Sequence, residues 1–245
     1  GANGSGKSTL VRILTGVYQP DAGAIRIGDR TFPGLASPHE ANDLGIAVVH
    51  QEAPLVDTLT VAECIGLFRG YPTRGGRVLW RRLNAECGEL LERFGVGVSP
   101  RQLAGELNPS QRALVALAIA LDRVKSGLEL LILDEATASL GEDDAAVYLK
   151  RVAAIAAEGT GVLMVTHRLA ELTGLAHTVT VLRDGRRVYC APVGETDEEG
   201  LVNHMVGAAG DERRPAAAKG RAATTRKGAV RALWSAGGSP ETPRD

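Results

Sequence analysis

Continuous apolar runs of strand length stand at residues 45–50 (GIAVVH), 130–133 (LLIL) and 161–165 (GVLMV). Runs without polar alternation predict strands buried on both faces. Between them the period changes. Residues 8–14, 110–121 and 142–157 read as helices, the last broken by Gly159 and Gly161. Leu83, Cys87, Leu90, Leu91 and Phe94 also recur at helical spacing, and Gly95 stands where such a helix stops. Residues 24–27 predict a short strand ended by the Gly28-Asp29 turn. Residues 178–182 and 187–190, joined through Asp184-Gly185, predict an antiparallel hairpin. Residues from about 54 to 106 form a mixed, partly helical region. Strands alternating with helices imply an α/β domain with a mostly parallel sheet flanked by helices.

Composition narrows this picture. Aromatic residues are only 4% of the chain, so the core is expected to consist of Leu, Val, Ile and Ala. The formal net charge of −1 gives no overall basic field that would draw nucleic acid. Cys64, Cys87 and Cys190 are odd in number and lack CxxC spacing, which argues against a disulfide framework or a zinc site. No run of about 18 apolar residues is present, so any membrane role has to come through a partner. Residues 208–245 differ from the rest. They carry eight Lys/Arg against four Asp/Glu with few large apolar side chains, the composition of a disordered linker or tail. A basic tail touching anionic lipid or nucleic acid is the less favoured reading of the same residues.

The chemistry concentrates at two motifs. Gly1-Ala2-Asn3-Gly4-Ser5-Gly6-Lys7-Ser8 matches G-x-x-x-x-G-K-[ST] at every fixed position. Glycines let backbone N–H groups curl around phosphates, and the following helix points its positive end at the same anion. Lys7 is placed to reach the β- and γ-phosphates and the Ser8 hydroxyl to bind Mg²⁺. The second motif, residues 130–135, buries four apolar positions and delivers Asp134 and Glu135 at the carboxyl end of a strand. Ligands sit at this edge in α/β sheets. Asp134 is the expected Mg²⁺ ligand and Glu135 the expected general base toward water. Gln51 and His167 each follow a predicted parallel strand and belong to the same edge. Gln51 is a candidate for contact with Mg²⁺ or the water, and His167 for a hydrogen bond to the γ-phosphate.

With these residues in place the chain resembles the ABC ATPases, and more narrowly the sugar-type importers that carry two cassettes in one chain. The resemblance runs from Gly1 to about Gly207. It is carried by residues 16–27 (GVYQPDAGAIRI), 45–52 (GIAVVHQE), 130–140 (LLILDEATASL), 165–172 (VTHRLAEL) and 179–186 (VTVLRDGR). It implies a P-loop NTPase fold with an inserted helical subdomain at about 54–125 and an antiparallel hairpin. It also implies binding and hydrolysis of ATP with Mg²⁺, and a phosphate site that takes in Thr9 as well. By the same resemblance Gln51 is the Q-loop, His167 the switch histidine, and Leu107-Asn108-Pro109-Ser110-Gln111 the signature that completes the site of a partner cassette. The implied partners are transmembrane permease subunits, a second cassette and, indirectly, a periplasmic or lipid-anchored sugar-binding protein. The implied location is the cytoplasmic face of the membrane, with residues 54–106 against the permease. Leu107 follows Gln51 by 56 residues, which suits a compact helical subdomain and leaves no room for the long insertions of chromosome-maintenance relatives.

Several departures qualify this. The phosphate loop opens at Gly1 without the strand that feeds such loops, so the chain reads as the first cassette of a longer protein, truncated at its start. The adenine-stacking residue is unassigned for the same reason. In the signature, Pro109 has no N–H and Ser110 adds bulk where backbone approaches phosphate, so the partner's site is expected to be weakened. Ala136 and Gly141 replace a usual Pro and acid with smaller expected effects. Two rival readings are a soluble relative without a permease and a non-catalytic remnant that binds no nucleotide.

Overall fold

The computed structural model describes residues 4–51, 53–168, 171 and 175–206. Its main sheet is wholly parallel and runs β3 (Ile46–Val49), β6 (Leu130–Asp134), β7 (Gly161–Val165). The register sets Val49 beside Leu133, and Asp134 beside Val165. All three strands therefore end at one level, and the segments that follow them emerge along one edge.

The alternation of each strand divides its side chains between two cores. Ala47, Val49, Leu131 and Leu133 point one way. They meet Ala116, Leu117 and Leu121 of α5 (Pro109–Asp122) and Ala145, Tyr148 and Val152 of α6 (Glu142–Ala157). Ile46, Leu130, Ile132 and Val165 point the other way. They meet Val11 and Leu14 of α1 (Lys7–Leu14) and Ala41 of α2 (Pro38–Asp43). Each fully buried Leu or Ile here contributes about 1.5–3 kcal/mol by leaving water. The expected burial on both faces holds for β3 and β6, whereas β7, at the end of the strand order, is half-buried from Gly161 to Met164 and buried only at Val165.

The mixed region resolves into α3 (Val61–Arg69), a small hairpin of β4 (Thr73–Arg74) and β5 (Arg77–Val78), and α4 (Trp80–Arg93). With α5 these helices enclose their own core of Val61, Ile65, Leu83, Cys87, Leu91 and Val115. Helix α3 opens on a reciprocal cap. Glu63 N–H donates to Thr60 Oγ1 at 3.3 Å, and Thr60 N–H donates to the Glu63 carboxylate at 2.8 Å. The T-x-x-E pattern at Thr60 was not singled out from sequence and is the signal that could have found this helix. Helix α4 ends as expected, with Gly95 at φ 64°.

The predicted strand at 24–27 is one arm of a hairpin, β1 (Ile25–Ile27) with β2 (Arg30–Phe32). The predicted hairpin at 178–190 is β8 (Thr178–Arg183) with β9 (Arg186–Pro192), one residue longer in each arm at the turn and two residues longer at the end of the second arm. Helices α2 and α7 (Glu198–Val206) had no counterpart in the periodicity. Six residues are too few for a period to register, and α2 forms because Ser37 caps it and Pro38 starts it. The expectations for residues 208–245 lie outside the described residues.

Two stability predictions follow from this packing. The Glu63 pKa is lowered from 4.5 by hydrogen bonds from the Thr60 hydroxyl and N–H, so the cap stabilises the fold where Glu63 is ionised and loses that effect as pH falls below the ordinary value. Glu63→Gln should lower stability by about 0.5–1 kcal/mol at pH 7. The difference from the parent should close in denaturant melts at about pH 3. Tyr148, fully buried in α6, has a hydroxyl with no hydrogen-bond partner among the described residues. Tyr148→Phe should therefore raise stability by about 0.5–1 kcal/mol in urea unfolding, and a loss of that size would reveal a partner for the hydroxyl.

Candidate nucleotide site

The phosphate loop is described from Gly4. Gly1 and Asn3, assigned to the same loop by sequence, lie outside the described residues. Gly4 and Gly6 have φ of 76° and 97°, the left-handed region that glycine enters without strain. At Gly6 the backbone is also crowded. A Cβ there would stand 3.3 Å from Gly185 Cα, in the turn between β8 and β9. Gly185 N–H donates to Ser5 O at 3.2 Å, so the hairpin turn braces the loop. Helix α1 begins at Lys7 with no side-chain cap and no acid in its first turn, which leaves its positive end to an anion. Lys7 Nζ donates to Ser5 Oγ at 3.3 Å. Ser8 and Thr9 are exposed on the first turn, and Ser5 is buried.

Across from the loop, β6 ends in the two acids. Burial pushes the Asp134 pKa up, and the neighbouring Glu135 charge adds to this. His50, Lys7 and Arg12 oppose it. His50 Nδ1 lies 4.0 Å from Asp134 Oδ2. This histidine was not singled out from sequence; its position directly before Gln51, at the end of β3, is the signal that could have found it. A half-buried carboxylate whose desolvation outweighs its nearby positive charge is suited to a divalent cation.

Glu135 has φ 53°, one of two non-glycine residues with positive φ among the described residues. Its N–H donates to Val165 O at 2.9 Å, which holds the chain in this strained turn. Such a conformation costs on the order of 1–3 kcal/mol and persists only where surrounding contacts impose it. The turn brings Glu135 Oε2 within 3.6 Å of His167 Nδ1. Gln51 is exposed one residue past His50 on the same edge. The structure therefore brings the phosphate loop, Asp134, Glu135 and His167 together, with Gln51 at the rim.

The signature residues belong to the start of α5. Leu107 is buried in the helical layer, while Asn108 and Pro109 are exposed. Asn108 is the N-cap. Its Oδ1 accepts from Gln111 N–H at 2.8 Å, and Gln111 Oε1 accepts from Asn108 N–H at 3.1 Å. Arg112 N–H donates to Asn108 O at 3.0 Å. Since Pro109 has no N–H, Ser110 N–H is the backbone donor left at this helix end, beside the Ser110 hydroxyl and the side-chain NH2 groups of Asn108 and Gln111. The expectation from Pro109 and Ser110 gains a second cause here, since the capping box occupies two further N–H groups.

The sheet order, the layers and the phosphate-loop edge define a nucleotide-type α/β cassette. Two solved structures share it. One is the ADP conformation of an ATP-binding cassette of an ABC transporter (TM-score 0.61, 24% identity, 83% of this chain and 81% of that one). The other is a nucleotide-free ATP-binding cassette from an ABC transporter (TM-score 0.62, 23% identity, 85% and 82%). The ABC transporter family model matches residues 1–138, and the chain belongs to that family. Two curated relatives are 38% identical over 211 residues. They are the ribose import ATP-binding proteins RbsA 2 of Mesorhizobium japonicum (84% of this chain, 40% of the relative) and RbsA 1 of Rhizobium meliloti (85% and 41%). The chain thus spans about two fifths of the length of the relatives it matches.

The capping geometry yields a prediction. Asn108→Ala should cost about 1 kcal/mol in thermal or urea unfolding, and Ser110→Ala close to nothing. Equal effects at the two positions would mean that Asn108 does not cap α5.

Proposed function

We propose that this chain binds Mg·ATP and hydrolyses it as the ATP-binding part of a carbohydrate importer. The observation that carries the reading is the parallel register, because it supports one edge shared by Gln51, Asp134, Glu135 and His167 opposite the phosphate loop.

In this reading the β- and γ-phosphates lie against Gly1, Asn3, Gly4, Ser5, Gly6, Lys7, Ser8 and Thr9. The open amides of α1 and the Lys7 ammonium neutralise them. Ser8, Gln51 and Asp134 hold Mg²⁺, whose chemistry is to draw charge from the phosphate oxygens. Glu135 accepts a proton from the attacking water. His167, beside Glu135, donates toward the γ-phosphate. This chain's part is thus to bind, orient and move one proton at Glu135.

The import reading rests on the names of the relatives, which are ribose import ATP-binding proteins. Among the described residues no helix is long and apolar enough to cross a membrane, so the membrane part falls to permease subunits. Leu67, Phe68 and Trp80 are exposed within the 54–106 region and suit contact with such a partner at the cytoplasmic face. A second cassette would meet the signature at α5, and a sugar-binding protein would act only through the permease. No nucleic-acid partner is proposed. We further assign the cassette at 1–207, with its helical subdomain at about 54–125, and a linker at 208–245. The self-capped signature supports one weakened composite site, at the partner's nucleotide. This chain's own loop, acids and switch histidine would supply the catalytic half of the competent one.

The test is binding of a fluorescent ATP analogue with Mg²⁺ to the 245-residue chain, and hydrolysis at saturating ATP. Lys7→Ala should weaken binding at least tenfold, and Glu135→Gln should retain binding while losing at least 99% of turnover. Binding that is absent, or indifferent to Lys7, would return the chain to the non-catalytic reading.

A further inference from the structure

A buried carboxylate stands behind the catalytic edge. The Glu171 side chain is 7% exposed. Its Oε2 accepts from Thr137 Oγ1 at 2.8 Å and from Thr166 Oγ1 at 3.0 Å. Its Oε1 accepts from Arg168 Nη1 at 3.3 Å. The same Arg168 nitrogen donates to Thr137 O and to Leu140 O, both at 3.0 Å, while Arg168 N–H donates to Thr166 Oγ1 at 2.9 Å.

These bonds join two segments that are otherwise separate in the chain. One is the turn at 137–140, which grows directly out of Glu135. Ala138 N–H donates to Glu135 O and Leu140 N–H to Thr137 O, each at 3.0 Å. The other is the segment at 166–168, with His167 at its centre. Both neighbours of His167 are tied to Glu171, whereas the His167 ring is 57% exposed and meets Glu135 only at 3.6 Å. A ring so open takes its position from the backbone that carries it. The backbone on either side is held by one carboxylate, and the Glu135 turn is held by the same carboxylate through Thr137.

We propose that Glu171 and Arg168, with Thr137, are positioning residues that clamp the His167 segment to the turn following Glu135 and so set the geometry of that pair. The proposal rests on the ATPase reading above for its consequence in turnover, but not for the clamp itself. Stability is a weak reason for such a cluster. Desolvating a Glu–Arg pair costs about as much as the pair returns, and apolar side chains of similar volume fill the same space at least as well. What the pair adds is a directional tie, in which five hydrogen bonds to charged groups converge from two segments. A displacement of about 1 Å between catalytic groups can cost on the order of 100-fold in rate, so modest loosening should be visible.

The experiment compares Glu171→Gln, an isostere that keeps the shape and removes the charge, with the parent 245-residue chain. Turnover should fall about tenfold or more while the KM for ATP stays within about twofold. Thr137→Val, similar in shape but without the hydroxyl, should do the same, and Thr137→Ser should recover most of the rate. In a His167→Ala background, Glu171→Gln should cost less than about twofold further, since a clamp acting through His167 has nothing left to position. Additive losses, or a change confined to KM, would overturn the proposal. Amide hydrogen exchange reads the clamp without turnover. Ala138 and Leu140 should exchange faster in Glu171→Gln while β3 is unchanged. Unaltered exchange at 137–140 would overturn the clamp whatever the rates. If the parent chain shows no hydrolysis, the ATPase reading fails, and exchange alone still decides for or against the clamp.

Discussion

Setting the Glu135 carboxylate beside the His167 ring requires two strand ends to stop at the same level, and here the Asp134–Val165 register achieves this. One further hydrogen bond, from Glu135 N–H to Val165 O, turns the chain out of the sheet at a backbone angle that a non-glycine residue rarely adopts. Everything chemical at the edge depends on this junction. Moving β7 by one residue would turn every side chain of the strand to the opposite face and carry His167 away with it. The two apolar layers, α5 and α6 on one side and α1 and α2 on the other, hold the register through the fit of particular side chains, because strands apolar at every position would bury apolar groups in a shifted register too.

The strain at Glu135 and the polar network behind it belong together. A left-handed non-glycine turn does not persist unless neighbouring contacts over-determine it. Val165 O holds its start, and the turn at 137–140 holds its continuation. That turn in turn leans on Glu171 and Arg168. Among the described residues of this edge, Ser8, Gln51 and the His167 side chain remain exposed while these ties hold the backbone that carries Glu135 and His167. The bracing of the phosphate loop by the β8–β9 turn is a second case, since Gly185 N–H donates to Ser5 O and Gly185 Cα lies close against Gly6.

The helical layer obeys a different logic. Its core meets the core beneath α5 and α6 through α5, whose residues face both ways, and through Phe94 at the end of α4, which packs against both. The signature at the start of α5 is therefore anchored by packing at Leu107 and by its own capping box, not by the nucleotide edge. A helix end that satisfies its own amides has fewer to offer an outside phosphate. This is the physical content of the contrast between an intact edge and an altered signature.

The phosphate loop, the two acids at a strand end and the buried parallel strands were legible in the sequence. Each depends on local rules: glycine conformational freedom, apolar runs of strand length, and the preference of ligands for carboxyl edges of parallel sheets. The capping boxes at Thr60 and Asn108 are also local three-residue spacings, although neither was singled out in the sequence. The second arm of the first hairpin and helix α2 were not legible, because three and six residues of pattern fall below the length at which a period can be read. Nor was the pairing of His50 with Asp134, or of Glu171 with Thr137 thirty-four residues away. In sequence those are ordinary polar residues near strand ends. Only the register of the sheet decides which strand ends are neighbours, and that is set by the summed burial of two apolar faces, a quantity no local segment contains.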